Sequence, residues 1–134
     1  MHKILLIDSD SASTKRIALA LTKSGFEVMI VSSESEGLKI ADEVSPAAVV
    51  VKESARIDGY RACQQIRHLF DLPLIFLDDK PEEEVCPSTL ENGTDWDFYI
   101  RWPIEYEELV ARIKVLLWRY GKARLPDSDI VILA

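Results

Sequence analysis

Residues 47–51 read AAVVV, a wholly apolar run in which three of the five side chains are β-branched. A run of this kind is typical of a central strand that is buried on both faces by helices. Similar runs precede it, KILLI at 3–7 and FEVMIV at 26–31, and others follow it, PLIFL at 73–77 and the short FYI at 98–100. The sequence therefore predicts five strands.

Helical patterns alternate with these strands. Apolar residues recur at helical spacing within residues 11–24, 33–44 and 62–70, and residues 105–120 form a strongly amphipathic helix. Residues 78–92 are polar and hold at best a poorly patterned helix. Five strands and five helices in alternation predict an α/β fold, a doubly wound parallel sheet in three layers. Functional residues of such a sheet gather beyond the carboxyl ends of its strands.

Length and composition exclude several classes of protein. With 134 residues, 48% hydrophobic and 29% charged, the chain fits one domain with an apolar core. The net charge of −7 opposes phosphate binding, so DNA contact is expected only through another segment. No stretch approaches the roughly 18 apolar residues of a membrane span, and residues 1–8 lack the cleavage site of a secretory signal. Cys63 and Cys86 stand far apart and form no metal or disulfide pattern, which favours the cytoplasm.

Five fragments, in their order and spacing, resemble the receiver domain of two-component response regulators. They are KILLID (3–8), SPAAVVV (45–51), IDGYRACQQIR (57–67), LPLIFL (72–77) and YIRWPIEYEELVARIKVLLWR (99–119). The resemblance implies a flavodoxin-like (CheY-like) sheet with strand order 2-1-3-4-5. We expect a receiver-like domain at residues 1–120, followed by a linker at residues 121–134.

The resemblance also implies a specific chemistry at the strand ends. Receiver domains transfer a phosphoryl group to an aspartate at the end of the third strand, using Mg²⁺ held by that aspartate and by acids after the first strand. A hydroxyl residue after the fourth strand and a lysine before the proline after the fifth strand complete their site. A hard cation needs oxygen ligands, and phosphoryl charge needs cationic partners.

This chain departs from that pattern at four positions, and the five matching fragments identify three of them without ambiguity. Asp8 matches the first acid, but Ser9 stands where the second acid is expected. Asp78 occupies the hydroxyl position. Trp102 replaces the lysine before Pro103. Each change removes a separate requirement of phosphoryl transfer.

The phosphoacceptor position is the fourth departure. Alignment from Ser45-Pro46 places Lys52 there, whereas counting back from Asp58-Gly59 places Val51 there, because the loop is one residue shorter than usual. Neither side chain can form an acyl phosphate. We infer that phosphorylation is lost, that Mg²⁺ binding is weak or absent, and that the pocket contains no metal ligand set and no catalytic residue.

Two interpretations of Lys52 stay open. Its ammonium could lie among Asp8, Asp10 and Asp78 and do internally what the cation does. Alternatively, Lys52 points into solvent, as lysine at a strand end usually does, and residues 8–10 are only a strand-to-helix turn with an N-cap.

Neighbouring residues also allow more than one interpretation. Glu53 either imitates a phosphorylated aspartate or is a solvated loop residue. Trp102 either stacks over the emptied pocket or forms an ordinary hydrophobic lid. Tyr99 matches the aromatic position that receiver domains rotate during activation, and without phosphorylation we expect it to be a fixed packing or interface residue.

The last strand and the last helix carry a possible dimer face. The stretch EELVARIKVLLWR at 107–119 resembles the last helix of OmpR/PhoB-type regulators, which dimerise through the fourth helix, fifth strand and fifth helix. The charged residues that match this face are Asp97, Glu108, Arg112 and Arg119. Surface ion pairs contribute only about 0–1 kcal/mol, so the charges alone do not establish an interface. Those regulators carry a winged-helix DNA-binding domain after such a segment, so a C-terminal effector domain is expected beyond the linker.

Three functions follow, in order of preference. The first is an atypical receiver domain that is independent of phosphorylation, is not an enzyme, and dimerises or docks protein partners for a transcription regulator. The second is a receiver still phosphorylated at a non-standard residue, such as Glu53 or Asp58. The third is a flavodoxin-like cofactor binder or small enzyme, which is disfavoured because DSDSAS at 8–13 lacks a glycine-rich phosphate loop.

Overall fold

The structure is a computed structural model in which residues 2–81, 84 and 96–121 are described. Strands and helices alternate along the chain, as the apolar runs predict. The strands are β1 (Lys3–Ile7), β2 (Glu27–Val31), β3 (Ala48–Lys52), β4 (Leu74–Asp78) and β5 (Phe98–Arg101). The helices are α1 (Ser11–Lys23), α2 (Glu34–Val44), α3 (Gly59–Leu69) and α4 (Tyr106–Arg119). Of the segment 78–92, where a helix was expected, residues 82, 83 and 85–92 lie outside the described residues.

All five strands belong to one parallel sheet in the order β2-β1-β3-β4-β5, which confirms the predicted order. In the register, Ile7 lies opposite Val51, and Lys52 lies opposite Leu77. The last residues of β1, β3 and β4 therefore meet at one edge of the sheet. This carboxyl edge is where the sequence places the candidate site.

Both faces of the sheet are buried, which explains the continuous apolar runs. Leu6 and Val50 face one cluster, which the apolar residues of α1 and α4 complete. Ile7 and Val51 face the opposite cluster, against α2 and α3. Each fully buried side chain of this size contributes roughly 1.5–3 kcal/mol to folding, so the central strands are held firmly in place.

Helices α1, α2 and α3 begin at polar caps that the sequence supplies. The side chains of Asp10, Ser33 and Asp58 accept backbone N–H groups in the first turns of α1, α2 and α3, at 3.1, 3.2 and 3.2 Å. Gly25, with a positive φ of 93°, follows the end of α1, as its stop signal predicts. These caps fix where the first three helices leave the carboxyl edge.

Some boundaries differ from the prediction. The third strand was expected at residues 47–51, but it spans Ala48–Lys52. The prediction ended at the last apolar residue, whereas the backbone hydrogen bonds of the sheet continue through Lys52. The expected linker lies outside the described residues from residue 122 onward, as does Cys86. Within the described parts of the chain, no helix is both long and apolar enough to cross a membrane.

Candidate functional site

The site lies at the carboxyl edge of the sheet. Asp8 follows β1, Lys52 ends β3 and Asp78 ends β4, and all three side chains are buried. Trp102 follows β5 and is half-buried. Parallel strands in register bring these four positions to one edge, as the sequence predicts for a doubly wound sheet.

Lys52 is among the largest fully buried side chains of the described residues, with 0% exposure. Its Nζ lies 3.1 Å from Oδ2 of Asp79 and 3.5 Å from the carbonyl oxygen of Glu53. The expectation that Lys52 points into solvent is therefore wrong. Lys52 forms an ion pair with Asp79, and not with the expected cluster of Asp8, Asp10 and Asp78.

Trp102 covers the buried ammonium. The centroid of its ring lies 5.4 Å from Nζ of Lys52, within cation–π range. The same ring meets Tyr106 edge-on, with centroids 6.1 Å apart. The indole lies over the ammonium of Lys52 and also packs against the apolar core.

Asp8 is engaged by its own turn. Its Oδ1 accepts the N–H of Asp10 at 2.9 Å, and its Oδ2 accepts the hydroxyl of Ser13 at 2.8 Å. Asp10 in turn caps α1. Ser9 does not share this arrangement, since its hydroxyl pairs with that of Ser54. The geometry therefore matches a strand-to-helix turn with an N-cap.

The donor set at this edge does not fit Mg²⁺. The octahedral oxygen shell that Mg²⁺ prefers would need carboxylates where Lys52 presents an ammonium and Ser9 a hydroxyl. Among the residues that the structure describes, no group of three or more His, Cys, Asp or Glu is placed to hold a metal ion. No chemical step at this site is therefore assigned to a metal.

Asp78 joins the pocket to the last strand. Its Oδ2 accepts the hydroxyl of Tyr99 and lies 3.5 Å from Nη1 of Arg101, while its Oδ1 accepts the N–H of Lys80 at 3.0 Å. Burial and the hydrogen bond to Asp78 raise the pKa of Tyr99 above its ordinary value. Arg101 was not predicted from the sequence. The available signal was its position two residues after Tyr99 on β5, which places both side chains on the same face of the strand.

The ring of Tyr99 packs against other aromatic side chains. It packs edge-on against Phe76, with centroids 5.4 Å apart, and lies 5.7 Å from the ring of Trp96. Phe76 and Trp96 also contact each other, at 5.2 Å. Tyr99 therefore packs in an aromatic cluster beside the pocket.

Glu53 is buried, with 7% exposure, so the interpretation as a solvated loop residue is wrong. Its Oε1 accepts the N–H of Gly59 at 2.8 Å and lies 3.9 Å from Nζ of Lys80. Burial raises the pKa of the Glu53 carboxyl above its ordinary value, against the opposing effects of those two partners. With Ser54, Glu53 also lines a small opening of about 240 Å³.

Asp97 has an internal role that the sequence missed when it assigned this residue to the dimer face. Its Oδ2 accepts a hydrogen bond from Arg67 at 2.9 Å and the N–H of Leu74 at 2.8 Å. The hydroxyl of Tyr120 donates to its Oδ1 at 2.9 Å. Asp97 thus ties α3, β4 and the end of α4 together.

The other three residues of the expected face lie on α4. Glu108 and Arg112 form an ion pair of 3.4 Å one turn apart. The guanidinium carbons of Arg112 and Arg119 lie 5.1 and 5.5 Å from the ring centroid of Phe98 on β5. Phe98, which the sequence did not single out, therefore lies at the centre of this charged face.

Several known proteins are similar to this chain, although no protein-family model matches it. The transcriptional regulatory protein AfsQ1 of Streptomyces coelicolor is 33% identical over 129 residues, which cover 96% of this chain and 56% of AfsQ1. The response regulator MprA of Mycobacterium sp. is 31% identical over 128 residues, 94% of this chain and 55% of MprA. The chain thus spans about half the length of these relatives.

A solved structure is also similar, that of a response regulator receiver domain protein from Clostridium thermocellum. The match covers 90% of this chain and 98% of that protein, with a TM-score of 0.78 and 25% sequence identity.

Proposed function

The chain belongs to the receiver domains of response regulators, and from that premise we propose that it is an atypical receiver that works through protein contacts without being phosphorylated. The resemblance seen in the sequence is confirmed at the level of the family and of the fold. The absence of phosphorylation is our proposal.

One observation carries the proposal, the burial of Lys52 at the end of β3. An amine at this position cannot form an acyl phosphate, and its positive charge repels a divalent cation from the oxygens beside it. If the Lys52 side chain moved out of the pocket, its ammonium would lose its contacts with Asp79 and with the face of Trp102. The pocket is therefore proposed to hold one conformation.

The bonds around Tyr99 support a fixed conformation. A switch needs two arrangements of similar free energy, whereas the hydroxyl of Tyr99 is bonded to the buried Asp78 and its ring is enclosed by Phe76 and Trp96. We therefore propose that the surface next to β5 is permanently in one state and available to partners.

The partner surface of this proposal is the charged face around Phe98, with Glu108, Arg112 and Arg119. Charges of both signs on one helix suit a symmetric dimer, in which each acid meets a base of the second copy. Arginine stacked on an aromatic ring is also a common arrangement at protein interfaces.

The proposal extends to the rest of the protein. AfsQ1 is named a transcriptional regulatory protein and MprA a response regulator, and both are nearly twice as long as the part matched here. We propose that residues 121–134 lead to a DNA-binding domain and that the protein acts in the cytoplasm. DNA contact by the receiver itself is disfavoured by its net charge of −7.

Incubation with acetyl phosphate and Mg²⁺, followed by intact-mass measurement, tests the proposal. We expect no added phosphoryl group on the wild type. A labile phosphoryl group would contradict the proposal, and the variants Glu53→Gln and Asp58→Asn would then show whether a non-standard carboxylate carries it. Glu53 borders the small opening beside Lys80, so it is the first alternative acceptor to examine.

A further inference from the structure

A groove of about 620 Å³ runs between α1 and α4, on the opposite face of the sheet from α2 and α3. Tyr106, whose ring contacts Trp102, lines one part of it, whereas Lys52 and Trp102 themselves do not. Its floor is apolar, with Leu19 and Ala20 on α1 and Val110 and Ala111 on α4. Leu19 is 55% exposed and lies off the buried stripe of α1, so the groove presents a large apolar side chain to solvent.

Three cations border this floor, Arg16 and Lys23 on α1 and Lys114 on α4. None of these three side chains takes part in an ion pair with the described residues, so their charges are available to a partner. Glu107 is the acid that borders the groove. On a chain with a net charge of −7, this is a local positive rim around an apolar surface.

We propose that this groove binds an acidic amphipathic helix of a partner protein. A groove between two helices accepts a third helix through apolar side chains spaced one turn apart. The positive rim then favours Glu or Asp on the flanks of that helix, since complementary charge fixes the orientation and speeds association. Nucleic acid is a poorer fit, because the net negative charge of the domain repels a phosphate backbone. The proposal is independent of whether the pocket is phosphorylated.

A designed peptide provides the probe. It has about 16 residues, leucine at positions that share one helical face, and glutamate on both flanks. A matched peptide carries lysine in place of every glutamate. Binding of each to the full chain is measured by fluorescence anisotropy, and the binding surface is mapped by amide NMR shifts.

We expect the acidic peptide to bind about tenfold or more tightly than the lysine peptide, with shifts at Leu19, Ala111 and Lys114. The double variant Arg16→Glu/Lys114→Glu should weaken binding by about tenfold. Lys39→Glu, a charge reversal on α2 that is distant from the groove, should leave it unchanged. All of these positions are exposed, so the variants are expected to fold, and circular dichroism checks this.

Four results would overturn the proposal. They are the absence of binding by the acidic peptide, equal binding of the lysine peptide, NMR shifts outside the groove, and an unchanged affinity in the double variant. A concentration-dependent dimer of the free chain that is lost in Lys114→Glu would also overturn it, because a second copy would then be the occupant of the groove.

Discussion

At the scale of the residue, a buried ammonium is costly unless it is paired, and Lys52 has a partner that is only partly buried. The side chain of Lys52 is fully buried while that of Asp79 is 44% exposed. Losing the carboxylate would leave the charge buried and unpaired, whereas losing the ammonium would leave an aspartate that water can solvate. The two partners therefore contribute unequally to stability.

This asymmetry predicts opposite effects for two substitutions. Asp79→Asn should lower the free energy of unfolding by about 1–3 kcal/mol, because Lys52 stays buried without its counter-charge. Lys52→Met, which keeps the volume and removes the charge, should be neutral or stabilising. Urea unfolding measures both. Equal destabilisation by the two variants would show that Lys52 is stabilised by something other than this pair.

Glu53 gives a prediction about pH. Its pKa is raised above the ordinary value of 4.5, chiefly by burial. The folded state therefore binds more protons than the unfolded state just above pH 4.5, and stability is lost as the pH rises through the folded pKa. Glu53→Gln keeps an acceptor for Gly59 without this ionisation, so its stability relative to wild type should improve from pH 4.5 to pH 7. A stability difference that does not vary with pH would contradict the assignment.

At the scale of the element, one carboxylate connects three parts of the fold. Asp97 accepts hydrogen bonds from Arg67 near the end of α3, from the N–H of Leu74 at the start of β4 and from Tyr120 just after α4. These bonds hold the end of the last helix, after which the chain continues beyond residue 121. The last helix should therefore depend on this carboxylate.

The loss of this connection has a graded cost. Asp97→Ala should destabilise the fold by about 2–4 kcal/mol, because it leaves a guanidinium and a backbone N–H without their partner. Tyr120→Phe removes one hydrogen bond and should cost only about 1–2 kcal/mol. Chemical denaturation compares the two variants, and an equal cost would contradict the central role of Asp97.

The face around Phe98 leads to a prediction about assembly. Arg112→Glu reverses a charge that both stacks on Phe98 and pairs with Glu108, so it should convert a dimer into a monomer. Analytical ultracentrifugation at high concentration measures this, with Lys39→Glu as a control of equal charge change. If wild type and Arg112→Glu both sediment as monomers, this face loses its support as a dimer interface.

At the scale of the whole molecule, the sequence predicted the sheet and the position of the site, because burial on both faces imposes apolar runs and parallel strands end together. It did not predict the partner of Lys52. Asp78 and Asp79 are neighbours at the end of β4 and point in different directions, and the sequence does not show which of them points toward Lys52. The bonds of Asp97 were missed for a similar reason. Its three partners lie 23 to 30 residues from it in the sequence, and no local pattern predicts such contacts.

Direct titration of the pocket with Mg²⁺ and then beryllofluoride, followed by amide NMR, tests the central claim. The arrangement of Asp8, Lys52 and Asp78 predicts that the amides at the ends of β1, β3 and β4 do not respond in a saturable way. Saturable shifts at those three strand ends, and a coupled change at Tyr99, would contradict the claim that a buried lysine holds this receiver in one state.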